Sequence, residues 1–160
     1  DEKQIAGSHY KTPAQPWNEL VSLGYGHEFY TGEILVYLVR WPHKNGLADV
    51  LKAQHVIEKL LDLYNTYGKK FLPYSHVTDD ETLQSIIADH VNSHLRYFFT
   101  VNATDENTAA ACVSVLFANK PEMLQDAIEE CSAIAARIEN ARVKNVEERA
   151  AYSAIPQPGY

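Results

Sequence analysis

Three basic residues within the first third of the sequence have the types and spacing to bind a phosphate group together. They are Arg40, Lys44 and Lys52. The arginine guanidinium can form paired hydrogen bonds with phosphate oxygens, and each lysine ammonium adds a point charge. Asp49 precedes Lys52 by three residues, so the two share one face of any helix that contains them. We therefore predict that the three bases form a phosphate clamp.

Aromatic and acidic residues accompany these bases in the sequence. The aromatic rings offer flat surfaces for a nucleobase, and carboxylates could hold Mg²⁺, which prefers oxygen ligands, or accept a proton. Mg²⁺ is expected only if the protein is a kinase, and no residue is assigned to a permanent metal site. The candidate catalytic residues are Glu33 and Asp49. The candidate ligand-binding residues are His9, Tyr10, Trp17, Tyr37, Arg40, Trp41, Lys44 and Lys52.

Each candidate also has a purely structural interpretation. Arg40 at a helix end could serve only the last carbonyl groups and the helix dipole. Asp49 and Lys52 could form an ordinary surface ion pair of small energetic value. Trp17 and Trp41 could simply belong to the core. These alternatives stay open at the level of sequence.

Several common chemistries have no motif in this sequence. It contains neither a GxxxxGK[ST] phosphate loop nor a GxGxxG dinucleotide motif, and no CxxC or HExxH. His90 and His94 are four residues apart, which is half of a zinc site by spacing, and a wet or interfacial helix face explains them better. Cys112 and Cys131 lie on apolar helical stripes and are predicted to be core residues.

Composition indicates one soluble domain with an uneven charge distribution. The 160 residues are 46% hydrophobic and 22% charged, with a net charge of −7, so binding to long nucleic acids is not expected. Residues 1–70 hold eight acids and eight bases, whereas residues 71–160 hold thirteen acids and six bases. An anionic ligand is therefore expected in the first half. No apolar run is long enough to span a membrane, the first residues lack a signal-peptide core, and two cysteines suit a reducing cytosol.

Periodicity predicts an all-α bundle of about six helices with an extended N-terminal arm over residues 1–15. Residues 1–70 and 71–152 are expected to pack as one domain, with a loose tail at 153–160. The helix that ends before Pro42 is apolar nearly all round, so we expect it to be buried on more than one side and expect a homo-oligomer. The predicted helices span about 17–23, 27–41, 47–67, 79–99, 105–118 and 121–152.

The sequence also suggests an internal duplication of a helix hairpin. A shift of 77 residues lays 31–62 over 108–139 without a gap. Five positions then coincide, including Asp49 with Asp126 and Ile57 with Ile134. The second copy lacks the arginine and the basic turn of the first, so it would act as a structural partner.

Residues 3–62 resemble a small domain of tailed bacteriophages, the SaV-like or phage nucleotide kinase domain. The resemblance begins with Lys-Gln-Ile-Ala-Gly-Ser-His-Tyr-Lys at 3–11 and continues with Gln-Pro-Trp at 15–17. It covers less than half of the chain. The later matching positions, in the family's order, are Gly32-Glu33, Val36-Tyr37, Arg40-Trp41, Lys44-Asn45-Gly46, Asp49-Val50 and Lys52-Ala53.

The resemblance implies a phage accessory protein that binds nucleotides in the cytoplasm of the infected bacterium. A member of the family transfers phosphate to deoxynucleoside monophosphates without a P-loop. Two positions depart from the family pattern, where Glu33 replaces an asparagine and Val36 replaces a lysine. Losing a cation affects catalysis more than binding. The alternative functions are a sponge that sequesters a cyclic or ADP-ribose-type defence signal, and a purely structural helical oligomer.

Overall fold

A computed structural model describes residues 26–72 and 81–154, and these ranges are helical with no β-strand. The all-α prediction is therefore confirmed. The predicted arm at 1–15, the predicted helix at 17–23 and most of the predicted tail lie outside the described residues. Short 3₁₀ turns occupy Trp41–His43 and Lys69–Phe71. The five α-helices are α1 (Gly26–Arg40), α2 (Leu47–Tyr67), α3 (Glu81–Val101), α4 (Glu106–Leu116) and α5 (Pro121–Ser153).

Four of these helices pack in a closed ring. Helix α2 packs against α1 and α5, α5 packs against α4, and α4 returns to α1. The first half of the chain thus shares one core with the second. Among the described elements, α3 has no comparably broad contact, and it reaches this core through Phe99. The largest side chains buried at the centre of the ring are Ile34, Leu38, Ile57, Leu60, Leu124 and Ile134.

Proline and glycine set the helix boundaries that position the candidate site. Helix α1 ends at Arg40, and Pro42 lies within the 3₁₀ turn that follows, because the α conformation is disfavoured for the residue before a proline. Gly46 then adopts a φ of 52°, and Gly68 adopts a φ of 87° after the end of α2. Pro121 occupies the first turn of α5, where its missing N–H costs nothing. The α1–α2 connection is therefore short and fixes the two helices side by side.

Burial on α1 follows one stripe rather than the whole circumference. Tyr30, Ile34 and Leu38 recur every four residues and are buried. Leu35, beside this stripe, is partly buried against the core, whereas Val36 is 54% exposed. The reason is geometric, since α2 and α4 cover adjacent parts of α1 and leave the side with Val36 open.

The two helix hairpins that the suggested duplication pairs are both present. Helices α1 and α2 form the first hairpin, and α4 and α5 form the second. Ile57 and Ile134 are buried at equivalent positions, whereas Asp49 is buried and Asp126 is exposed. A common ancestry of the two hairpins stays a prediction.

Within the described parts of the chain, no helix combines the length and the apolar character that crossing a membrane requires.

Candidate functional site

The exposed edge between α1 and α2 carries a cluster centred on Tyr37. Glu33, Tyr37 and Arg40 are four and three residues apart on α1, so their side chains share one face. The Tyr37 hydroxyl donates to Oε1 of Glu33 at 2.8 Å, and the Arg40 Cζ lies 4.8 Å from the Tyr37 ring centroid. From α2, the Lys52 Nζ lies 5.6 Å from the same centroid. We call these residues, together with Asp49, the Tyr37 cluster.

Arg40 is held by a two-pronged ion pair with Asp49. Its Nε donates to Oδ2 at 2.9 Å and its Nη2 donates to Oδ1 at 3.0 Å. Asn45 Nδ2 adds a third hydrogen bond to Oδ1 at 3.1 Å. Asp49 is 0% exposed, whereas the Arg40 side chain is 32% exposed. The pair therefore joins a buried carboxylate to a guanidinium that still reaches solvent.

The pKa values of both partners follow from this geometry. The hydrogen bond to Asp49 raises the pKa of Arg40 above its ordinary value. Burial alone would raise the pKa of Asp49, but the hydrogen bonds from Arg40 and Asn45 and the positive charges of Arg40 and Lys52 together lower it. Asp49 is therefore ionised at neutral pH in spite of its burial.

This pairing changes the role that the sequence assigned to Asp49. As a catalytic residue or Mg²⁺ ligand it would need an accessible oxygen, and both of its oxygens accept hydrogen bonds in the interior. The cause is its position on α2, because Asp49 falls on the same stripe as the buried residues Ala53, Val56 and Leu60. Asp49 orients Arg40.

The fit of a Mg²⁺ ion is correspondingly poor. In the ranges 26–72 and 81–154 no group of three or more His, Cys, Asp or Glu side chains is placed to hold a metal ion. Glu33 is the other acidic residue of the Tyr37 cluster, and one of its oxygens already accepts the Tyr37 hydroxyl.

The predicted phosphate clamp is brought together only in part. Arg40 and Lys52 both lie over Tyr37. Lys44 is exposed on the turn between α1 and α2. Formal charges within the Tyr37 cluster balance, because Glu33 and Asp49 offset the two cations. The cluster therefore offers directed donors to an anion without a net positive charge.

Trp41, in the 3₁₀ turn that follows α1, links α1 to α4. Its Nε1 donates to the buried Oγ1 of Thr108 at 3.0 Å, and the indole packs against the hydrophobic core. The backbone N–H of Thr108 in turn donates to Oδ1 of Asp105, which caps α4. The geometry thus matches the structural interpretation of Trp41 and uses its polar atom inside the protein.

One polar atom of the Tyr37 cluster is left without a donor. Oε2 of Glu33 is buried, and nothing in the described ranges donates a hydrogen bond to it. A buried carboxylate oxygen without a donor carries a desolvation penalty that a hydrogen bond normally offsets. This atom is consequently the clearest sign in the cluster that a ligand group or water belongs there.

The remaining candidates contribute little to this site. His9, Tyr10 and Trp17 lie outside the described residues. His94 is exposed. Cys112 and Cys131 are buried, as predicted, and burial raises the pKa of each thiol to about 12. Both thiols are therefore protonated at neutral pH and unsuited to nucleophilic chemistry.

Comparisons with known proteins give no relative. The chain matches no protein-family model, no curated protein and no solved structure. The resemblance to the phage nucleotide kinase domain stays a prediction, and the function has to follow from the chain's own geometry.

Two partners in this region escaped the sequence prediction, namely Asn45 and Thr108. One signal pointed to the pair that Asn45 completes, because Asp49 falls on an apolar stripe at helical spacing and a buried carboxylate requires a partner. Arg40, nine residues earlier across a short turn, was the nearest arginine. No comparable signal linked Trp41 to Thr108, since 67 residues separate them.

Proposed function

We propose that this protein binds a nucleoside monophosphate, with the phosphate group at Arg40 and Lys52 beside Tyr37. The observation that carries the proposal is that two cations from two different helices lie over one tyrosine ring. A guanidinium and an ammonium that lie beside the same ring can both donate hydrogen bonds to one phosphate group.

Asp49 supports this function by holding Arg40 before a ligand arrives. The two-pronged pair engages Nε and Nη2, and because the guanidinium is planar it also fixes the position of Nη1. A donor that is already oriented loses little conformational entropy when it binds. Lys52 supplies an ammonium group with three donors. We therefore expect a phosphate to contact Nη1 of Arg40 and Nζ of Lys52.

The balanced charges of the Tyr37 cluster favour binding of a nucleotide without chemical conversion. Phosphoryl transfer depends on neutralising the charge of the transferred group, and the formal charges of the Tyr37 cluster sum to zero. Asp49 is buried with both oxygens engaged, which leaves Glu33 as the acidic candidate for a base. We therefore favour the sponge hypothesis, with the nucleoside monophosphate as its simplest ligand, and keep the kinase as the alternative.

The resemblance supplies the setting of the proposal. It implies a tailed-phage accessory protein that acts in the cytoplasm of the infected bacterium. In that setting, a protein that holds a nucleotide signal without consuming it would protect the phage. A homo-oligomer would also cover part of the apolar side of α1 that includes Val36, which is exposed in the single chain.

A thermal-shift screen tests the binding function. Nucleoside monophosphates should raise the melting temperature by mass action, and the matching nucleosides without phosphate should not. Lys52→Gln should abolish the shift. Lys59→Gln is the matched control, because Lys59 lies two turns further along the same face of α2 and loses the same charge. Absence of a shift with every monophosphate, or an unchanged shift in Lys52→Gln, would contradict the proposal.

A separate assay distinguishes holding from turnover. The protein is incubated with ATP, Mg²⁺ and the monophosphate that gave the largest shift, and nucleotides are separated by chromatography. A sponge returns the monophosphate unchanged. Formation of the diphosphate would establish the kinase instead and would assign the catalytic role to Glu33 or to residues outside the described ranges.

A further inference from the structure

We infer that Glu33 selects the ligand by accepting a hydrogen bond at Oε2 from a neutral N–H or O–H donor of the nucleoside. This inference rests on the proposed function, because it assumes that the phosphate lies at Arg40 and Lys52. It adds a second contact and a criterion of selectivity that phosphate binding alone does not provide.

The geometry around Glu33 supports an acceptor that is already oriented. Oε1 accepts the Tyr37 hydroxyl at 2.8 Å, which fixes the plane of the carboxylate. Oε2 is buried and receives no hydrogen bond within the described parts of the chain. The carboxylate therefore has one oxygen engaged by the protein and one oxygen that lacks a donor.

The chemistry of Oε2 limits which ligand group can lie next to it. A carboxylate oxygen accepts and does not donate when it is ionised, so the complementary group must carry a hydrogen. A second phosphate would be repelled. Tyr37 contacts both cations and Glu33, so Oε2 belongs to the same cluster as the two proposed phosphate contacts. The donor is then a sugar hydroxyl or an N–H of the base, either an amino group or the N1–H of guanine.

A site built around such an acceptor discriminates strongly against ligands that lack the donor. Binding of an analogue without it would leave Oε2 buried and unpartnered, as in the ligand-free protein. Hydrogen bonds to charged groups are strong enough to change affinity by about tenfold or more. Affinity for nucleotides should therefore depend on particular hydroxyl or amino groups and not only on phosphate.

Calorimetric titration of wild-type protein with three kinds of probe tests the inference. The probes are AMP and GMP, their 2′,3′-dideoxy forms, and purine riboside 5′-monophosphate, which lacks the amino groups of both bases and the N1–H of guanine. The better of the two natural nucleotides should bind at least about tenfold more tightly than one of its analogues. Loss with the dideoxy form would identify a sugar hydroxyl as the donor, and loss with the riboside would identify a base N–H donor.

The Glu33→Met variant decides whether Glu33 is responsible. Methionine has no oxygen to accept from either the Tyr37 hydroxyl or the ligand, so the discrimination should fall to within about threefold. The ratio of affinities is the readout, because removing a negative charge near the phosphate changes all affinities alike. Glu28→Met, at an exposed position on the same helix, should keep the wild-type ratio.

The outcomes separate this inference from the function on which it rests. If wild-type protein binds all probes within threefold of one another, Glu33 does not select and phosphate binding stands. If Glu33→Met keeps the tenfold discrimination, selection lies elsewhere. If none of the monophosphates binds, both the proposed function and this inference are overturned.

Discussion

Arg40 and Asp49 form a two-pronged ion pair in which the carboxylate is fully buried and the guanidinium is one-third exposed. The two partners therefore have unequal alternatives when the other is removed. Arg40 can turn to water, whereas Asp49 has no access to solvent. This asymmetry makes Asp49 dependent on Arg40 far more than the reverse.

Removing Arg40 should consequently destabilise the protein more than removing the charge of Asp49. Arg40→Met leaves a buried carboxylate without its main partner and should lower the free energy of unfolding by about 3 kcal/mol. Asp49→Asn should cost less, because the freed guanidinium is hydrated. Urea denaturation of both variants at pH 7 measures the difference. Equal losses would show that burial of Asp49 does not control the energetics of the pair.

The pH dependence of stability should reverse sign between wild type and Arg40→Met. In wild type the pKa of Asp49 is lowered, so its stabilisation is present above the ordinary aspartate pKa and is lost as pH falls through the folded-state value. Without Arg40, burial dominates and raises this pKa, so protonation relieves the penalty. Urea denaturation between pH 7 and pH 4 should show the deficit of Arg40→Met shrinking. A constant deficit would contradict the assignment.

The arginine variant also bears on ligand binding. Because loss of Arg40 destabilises the fold, loss of a ligand effect in Arg40→Met would not by itself locate the phosphate. Lys52 acts on the buried Asp49 through its charge and not through the paired hydrogen bonds that Arg40 makes. Its variant is therefore the sharper probe of binding.

The sequence predicted the helices well because prolines and glycines next to the helix ends determine where the helices begin and stop. Pro42, Gly68 and Pro121 act on the backbone next to them, and the predicted limits of α2 coincide with the observed ones. Burial was less predictable. The composition of α1 could not show which of its apolar residues would face α2 and α4 and which, like Val36, would be exposed.

The residues of the candidate site could be predicted from the sequence better than their hydrogen-bond and ion-pair partners could. Arg40, Tyr37 and Lys52 do meet, since helical spacing and a short turn bring them to one edge. The sequence could not show that Asp49 would pair with Arg40 across the turn and not act with Lys52. That choice depends on the side of α2 that α1 and α5 bury, which is a property of the assembled fold.

The hydrogen bond between Trp41 and Thr108 should couple α1 to α4. Trp41→Phe removes the donor and Thr108→Val removes the acceptor, and each should lower stability by about 1 kcal/mol for the lost hydrogen bond, with an added packing loss for the tryptophan. Unfolding free energies of both single variants and the double variant give a double-mutant cycle. A coupling energy near zero would mean that the 3.0 Å contact does not stabilise the protein.

Two glycines near the site should respond to alanine in opposite directions. Gly46 has a φ of 52°, which alanine adopts only with strain of about 1–2 kcal/mol, although no atom would collide with the added methyl group. Gly32 lies within α1 with open space around it, so alanine should stabilise that helix by about 0.5–1 kcal/mol. Thermal unfolding distinguishes the two. Destabilisation by Gly32→Ala would indicate that this position needs a glycine for a reason other than conformation.

Glu33 and Tyr37 should show a conflict between stability and selectivity. Tyr37→Phe leaves Glu33 without the hydroxyl that Oε1 accepts and should destabilise the ligand-free protein by about 1–3 kcal/mol. The double variant Glu33→Met/Tyr37→Phe removes the unpartnered oxygen together with the hydroxyl, and it should recover wild-type stability or exceed it. Its discrimination between nucleotides should be lost, since Oε2 is gone. Urea denaturation of the three proteins checks the order, and a double variant less stable than Tyr37→Phe would show that the ligand-free protein already satisfies Oε2. The expected order would mean that Glu33 lowers the stability of the ligand-free protein and is retained because the ligand-bound state uses its Oε2.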